Sequence, residues 1–136
     1  TMQGVGRVSA VFQEDRLCAQ LNAIQNVTLV LPGPGTQYKE QIKQDFQRFG
    51  LDLAALALPA RKLSGGQKRR VALLRALYAP SDTLLLDEPF TGMDPAALQK
   101  AAALLKERSG GKNVLLATHD REAIAELGWR VIKLAE

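Results

Sequence analysis

The feature of this chain that most constrains its fold is the alternation of helical and strand-like segments after residue 63. Runs rich in apolar residues, which predict strands, occur at 83–86, 114–117 and 131–134. The first two are continuous rather than alternating, which predicts strands buried on both faces, as in a parallel sheet. Helices are predicted before and between the strands, at 64–78, 95–108 and 121–127. This order indicates an α/β fold with a parallel sheet.

The first half of the chain has a different pattern. A short β-prone run at 8–12 precedes predicted helices at 21–31 and 38–49 and an apolar segment at 53–58. Two prolines and two glycines at 32–35 interrupt the helical pattern, because proline cannot continue a helix. Since no strand is predicted between residues 21 and 60, we expect a helical subdomain beside the sheet.

Composition limits the class of protein. The 136 residues are 46% hydrophobic and 24% charged, which is ordinary for a single globular domain and excludes a disordered tail or a coiled-coil rod. No apolar run approaches the 18 residues of a membrane-spanning helix. The single cysteine, Cys18, excludes an internal disulfide framework and a cysteine-based zinc site, and it favours a reducing compartment.

The net charge of +4 is mild, but the cations are clustered. Between residues 61 and 75 there is no acidic residue, and the cations there are Arg61, Lys62, Lys68, Arg69, Arg70 and Arg75. Such a cluster attracts anions, including phosphate. A solvated helix face explains the same run, and the charges alone do not decide between the two interpretations.

Residues 63–67, Leu-Ser-Gly-Gly-Gln, are the most informative short motif. Ser64 followed three residues later by Gln67 has the spacing of a capping box at a helix N-terminus. Gly65 and Gly66 leave the first N–H groups of that helix accessible to a bulky anion. Helix capping and anion binding are both consistent with this motif taken alone.

Polar residues also follow the predicted strands. Asp87 and Glu88 end the strand at 83–86, where α/β proteins bind ligands. Asp87 is suited to Mg²⁺ and Glu88 to orienting or deprotonating water, although a polar turn has the same composition. His119, the only histidine, follows the next strand, and Gln13 follows the first. Asp94 has the form of an ordinary N-cap before a proline.

Taken together and in order, these segments resemble the ABC (ATP-binding cassette) ATPase family. Five successive blocks carry the resemblance: Val11-Phe12-Gln13-Glu14, Leu63-Ser64-Gly65-Gly66-Gln67, Leu84-Leu85-Leu86-Asp87-Glu88-Pro89, Gly92-Met93-Asp94-Pro95 and Ala117-Thr118-His119-Asp120. The resemblance implies an ATP-hydrolysing subunit that powers solute transport. The short interval between Gln13 and Leu63 is similar to that of bacterial importer subunits.

The resemblance implies a role for each residue of the nucleotide site. Gln13 corresponds to the Q-loop glutamine, which contacts Mg²⁺ and the attacking water. Asp87 corresponds to the Walker B aspartate, a Mg²⁺ ligand, and Glu88 to the catalytic glutamate. His119 corresponds to the H-loop histidine, which contacts the γ-phosphate. The implied cofactors are ATP and Mg²⁺.

Other matched residues are implied to act across a dimer. In this family the signature motif, here Ser64, Gly65, Gly66 and Gln67, contacts ATP held by the opposite subunit of a head-to-tail dimer. Asp94 corresponds to the D-loop aspartate at that interface. The helical subdomain, residues 14–62, would receive transmembrane permease subunits, which implies a cytoplasmic protein peripheral to the inner face of the membrane.

One element of the family pattern is absent. No Gly-x-x-x-x-Gly-Lys followed by Ser or Thr occurs in the 136 residues. The implied fold is therefore a P-loop NTPase-type parallel sheet that lacks its P-loop strand, with an α-helical subdomain. Its parts would be a Q-loop strand (1–13), the helical subdomain (14–62) and the remaining α/β core (63–136). We expect this stretch alone neither to bind nor to hydrolyse ATP, and to need the missing segment or a swapped homodimer.

Two other functions remain open at this stage. One is a non-transport ABC ATPase that acts on DNA or ribosomes, which the mild charge and the 5% aromatic content do not favour; we therefore expect no nucleic-acid partner. The other is an inactive interaction module that lends its signature motif to a complete partner.

Overall fold

The computed structural model describes residues 8–11, 16–33 and 35–133. The regular elements of this part of the chain are β1 (Val8–Val11), α1 (Ala23–Thr28), α2 (Lys39–Arg48), α3 (Leu53–Ala57), α4 (Gly65–Tyr78), β2 (Thr83–Asp87), α5 (Pro95–Arg108), β3 (Asn113–Ala117) and α6 (Arg121–Leu127). Short 3₁₀ helices lie at Gly35–Tyr38 and Ala60–Lys62.

The three strands form the predicted parallel sheet, with β2 in the centre. Val8 pairs with Thr83, and Thr83 pairs in turn with Asn113. Parallel neighbours need a crossover connection, and α5 supplies it between β2 and β3. The predicted α/β class is confirmed.

The stretch between β1 and α4 is helical, as predicted, but its helices are shorter than the sequence pattern suggests. Asn22 begins α1 with a capping box to Gln25, and Asp52 caps α3. The helix predicted at 21–31 therefore covers only Ala23–Thr28. Apolar side chains from α1 to α3 join a single core with those of α4 and α5.

The prediction that the strands are buried on both faces is wrong. Leu84 and Leu86 are buried in the core, whereas Leu115 on the opposite face of the neighbouring strand is 66% exposed. Val8 on that second face is 53% exposed. The helices of the described residues cover one face of the sheet. The strands that were predicted from continuous apolar runs are therefore fully buried on that face only.

The strand predicted at 131–134 is also not formed in the described part of the chain. Residues 131–133 have no regular structure, Ile132 is 68% exposed, and Leu134 lies outside the described residues. A strand is stable only when a neighbour accepts its backbone hydrogen bonds. Among the described strands the sheet ends at β3, and no strand pairs with this segment.

A buried carboxylate joins the helical stretch to the α/β core. Asp45 on α2 is 1% exposed and accepts two hydrogen bonds from Arg108 on α5, from Nε and Nη2, each at 2.9 Å. Tyr78, the last residue of α4, donates its hydroxyl to Asp45 at 2.7 Å. Burial and this contact raise the pKa of Tyr78, and the bond to Asp45 raises the pKa of Arg108. Three helices thus meet at one carboxylate.

We predict that Asp45→Ala lowers the free energy of unfolding by about 3 kcal/mol, because it leaves the Arg108 guanidinium without its partner. Chemical denaturation of the purified protein measures this change. Glu107→Ala is the matched control, since the ion pair from Glu107 to Arg48 is exposed and should contribute less than about 1 kcal/mol. Equal losses in both variants would contradict a central role for Asp45.

Candidate functional site

The carboxyl ends of β2 and β3 lie side by side and bring the predicted acids and the histidine together. Asp87, the last residue of β2, is in register with Ala117, the last residue of β3. The pairing continues one residue further, because the Glu88 N–H donates to the Ala117 carbonyl at 2.8 Å. Thr118 and His119 follow directly, so the two strand ends place their polar residues at one edge of the sheet.

The Glu88 carboxylate is held by both of these residues. Its Oε2 accepts a hydrogen bond from the Thr118 hydroxyl at 3.0 Å, and its Oε1 accepts one from the His119 backbone N–H at 2.8 Å. The Thr118 hydroxyl in turn accepts from the Asp120 N–H at 3.0 Å. Glu88 is half-buried, and these bonds fix the orientation of its carboxylate, as a general base requires.

The backbone of Glu88 is also unusual, with a φ of +48°. A non-glycine residue in this left-handed region costs about 1–3 kcal/mol, and such strain is concentrated at functional sites. The strained backbone is held by hydrogen bonds. Arg69 Nη2 donates to the carbonyls of Asp87 and Glu88, both at 3.0 Å, and the Thr91 hydroxyl donates to the Glu88 carbonyl at 3.1 Å.

Asp87 differs from Glu88 in that its carboxylate forms no hydrogen bond or ion pair among the described residues. It is half-buried at the end of β2. A carboxylate of this kind fits Mg²⁺, which is usually bound by one or two carboxylates together with phosphate and water oxygens. The described residues contain no cluster of three acidic, His or Cys side chains that could hold a metal by themselves. Gln13, the second predicted ligand, lies outside the described residues.

The second predicted site is the N-terminus of α4, where the capping box is confirmed. Ser64 Oγ accepts from the Gln67 N–H at 3.1 Å, and Gln67 Oε1 accepts from the Ser64 N–H at 2.9 Å. The cap leaves the N–H groups of Gly65 and Gly66 without an intrahelical acceptor. A Cβ placed on either glycine would meet no atom within 4 Å among the described residues. The helix end is therefore open to an external group.

Asp94 begins α5 as the sequence predicts. Its side chain accepts a hydrogen bond from the Ala97 N–H at 2.7 Å, and Pro95 occupies the first helical position.

His119 is exposed at the same sheet edge as Glu88, so its imidazole is accessible to solvent.

Two residues of the site were not identified by the sequence analysis. Thr118 was not assigned a role, although a hydroxyl directly after β3 was the available signal. Arg69 was counted only as one cation of a basic run, yet it is buried, at 8% exposed, and binds the turn after β2. The run is therefore not wholly a solvated face, and Arg61 and Lys62 are its exposed members.

The fold, a parallel sheet with helices, is of the P-loop NTPase type found in ABC cassettes. A profile of the ABC transporter family matches residues 3–91. The chain belongs to this family.

Curated relatives of this chain include importer subunits. It is 37% identical over 134 residues to the thiamine import ATP-binding protein ThiQ of Salmonella paratyphi A, covering 95% of this chain and 57% of ThiQ. It is 39% identical over 133 residues to the methionine import ATP-binding protein MetN of Brucella abortus, covering 94% of this chain and 36% of MetN. The chain thus spans only part of the length of these relatives.

Solved structures of similar fold are ABC cassettes. A dimeric structure of MJ0796, described as a bacterial ABC transporter cassette, aligns with a TM-score of 0.72 and 28% identity, covering 88% of this chain and 55% of that one. A dimeric post-hydrolysis state of MJ0796 bound to ADP and phosphate aligns with a TM-score of 0.68 at 27% identity, with the same coverage. The predicted fold class is confirmed.

The positive φ of Glu88 predicts a difference in stability between two variants, which can be measured without an enzymatic assay. Glu88→Gly and Glu88→Ala both remove the carboxylate and its two hydrogen bonds, but only glycine adopts a positive φ freely. We expect the glycine variant to have the larger free energy of unfolding, by about 1 kcal/mol. Chemical denaturation of the two variants measures the difference. A glycine variant that is less stable than the alanine variant, as expected at an unstrained position, would show that the backbone is not strained.

Proposed function

We propose that this chain is part of the ATP-hydrolysing subunit of an ABC importer, and that Glu88 is its catalytic base. The observation that carries the proposal is the Glu88 carboxylate, which two hydrogen bonds orient at the edge of a parallel sheet. It lies one residue after Asp87, whose carboxylate has no partner among the described residues. The similarity to importer ATP-binding subunits supports the transport role.

In this proposal each residue acts on a different part of the reaction. Asp87 holds Mg²⁺, which neutralises charge on the phosphates when bound. Glu88 orients the attacking water and accepts its proton, and the bonds from Thr118 and His119 N–H keep its carboxylate aimed. The His119 imidazole contacts the γ-phosphate. Gln13 would contact Mg²⁺ and the attacking water.

The second candidate site, the N-terminus of α4, would act on ATP that is bound to another subunit. We propose that the open N-terminus of α4, with Ser64, Gly65, Gly66 and Gln67, contacts ATP held by a second subunit in a head-to-tail dimer, and that Asp94 lies at that interface. The N–H groups of the two glycines and the positive end of the helix dipole suit a phosphate.

The similarity to importer subunits also supports a proposal for the partners and the location of this protein. Residues 14–62 would form the helical subdomain that contacts transmembrane permease subunits, and residues 63–136 would belong to the α/β core. The protein would lie at the inner face of the membrane through these partners. Among the described residues no helix is long and apolar enough to cross a bilayer.

Because residues 1–136 contain no P-loop sequence, we propose that they do not hydrolyse ATP alone.

The direct test of Glu88 is Glu88→Gln in the full-length protein that contains this sequence. We expect ATP hydrolysis to fall at least about 100-fold, because the amide cannot accept a proton from water. ATP binding should be retained, and the ATP-bound dimer should accumulate in size-exclusion chromatography. Glu126→Gln, an exposed carboxylate on α6, is the control. Hydrolysis near the wild-type rate would refute the assigned role.

Ser64→Arg tests whether the α4 terminus acts in trans. The added bulk should block dimer closure and stop hydrolysis, while the nucleotide affinity of the separate subunit stays unchanged. Ser64→Ala is the matched control, since it removes the same cap, at a stability cost of about 1 kcal/mol, without adding bulk. Weaker nucleotide binding by the Ser64→Arg monomer would place the motif in its own subunit's site.

A further inference from the structure

Arg69 is a buried cation that contacts the most strained backbone of the site. It lies on the second turn of α4, and its side chain reaches the turn after β2. One nitrogen, Nη2, donates to the Asp87 carbonyl and to the Glu88 carbonyl, each at 3.0 Å. The residue is 8% exposed, so these bonds are shielded from solvent.

The two carbonyls belong to the peptide planes on either side of the Glu88 Cα. The Asp87 carbonyl lies in the plane before it, and the Glu88 carbonyl lies in the plane after it. A single donor bonded to both limits the rotation of one plane relative to the other. This rotation includes the φ of Glu88, which is +48°. Arg69 therefore stabilises the backbone conformation from which the Glu88 side chain reaches Thr118 and His119 N–H.

The same residue is rigidly linked to the N-terminus of α4. Arg69 follows Gln67 by two residues, and Gln67 closes the capping box with Ser64. At the other end of the helix, Tyr78 is bonded to buried Asp45, and Lys112 donates to the Leu77 and Ala79 carbonyls at 3.1 and 3.0 Å. The capping box keeps the first turn helical and continuous with the turn that carries Arg69, so displacement of the N-terminus moves the Arg69 guanidinium.

We propose that Arg69 is a positioning residue for Glu88, and that it couples contact at residues 64–67 with the partner subunit to the aim of the catalytic carboxylate in its own subunit. The coupling rests on the proposed function, whereas the contact between Arg69 and the Glu88 backbone does not. Without Arg69 the Glu88 carboxylate is still present, but the backbone that orients it is no longer held.

The first test is a double-mutant cycle on stability, which needs no enzymatic activity. Arg69→Met is introduced into the Glu88→Gly and Glu88→Ala variants, which both lack the carboxylate. If Arg69 holds the positive φ, its loss lets the strained alanine backbone relax and recover part of the lost free energy, whereas glycine has no strain to relieve. The shift in the denaturation midpoint should therefore be at most half as large in the alanine background as in the glycine background. Equal shifts would overturn the proposal. If Arg69→Met does not fold, Arg69→Lys takes its place in the cycle.

The second test measures turnover in the full-length protein. Arg69→Met should lower kcat for ATP hydrolysis at least ten-fold while KM for ATP changes less than two-fold, because nucleotide contacts are untouched. A change confined to KM would overturn the positioning role. If the wild-type protein does not hydrolyse ATP, the proposed function fails, and the stability cycle still decides whether Arg69 holds the Glu88 backbone.

Discussion

The parallel pairing of β2 with β3 is the interaction on which the candidate site depends. It places Asp87 beside Ala117, and it extends to the hydrogen bond between the Glu88 N–H and the Ala117 carbonyl. A shift of one residue in this register would turn every side chain of one strand to the other face. Glu88 would then lie away from Thr118 and His119 N–H, and its carboxylate would lose both hydrogen bonds.

Helix α4 is the second organising element, because it connects three parts of the molecule. Its N-terminus carries the open glycines, its second turn supplies Arg69 to the strand-end turn, and its last residue contacts Asp45 of the helical stretch. Arg69, the buried cation of this helix, is paired with two backbone carbonyls, as burial of a charge requires. Helix α4 thus joins parts of the molecule that are far apart in sequence.

The sequence predicted local features well and tertiary features poorly. The capping box of Ser64 and Gln67 and the N-cap of Asp94 involve residues three apart, so their spacing alone identifies them. The order of elements and the convergence of Asp87, Glu88 and His119 also follow from a parallel sheet. By contrast, the exposure of Leu115 and the missing strand at 131–133 depend on which elements cover or pair with the sheet, and an apolar run carries no such information.

By itself the sequence determined the α/β class, the helix starts and the residue types at the ends of the strands, because these follow from periodicity, capping and motif spacing. The tertiary structure alone decided how those residues are held. The bonds from Thr118 to Glu88 and from Arg69 to two carbonyls join residues 30, 18 and 19 positions apart. Such contacts arise only when strand register and helix packing bring distant side chains together, and no local pattern records them.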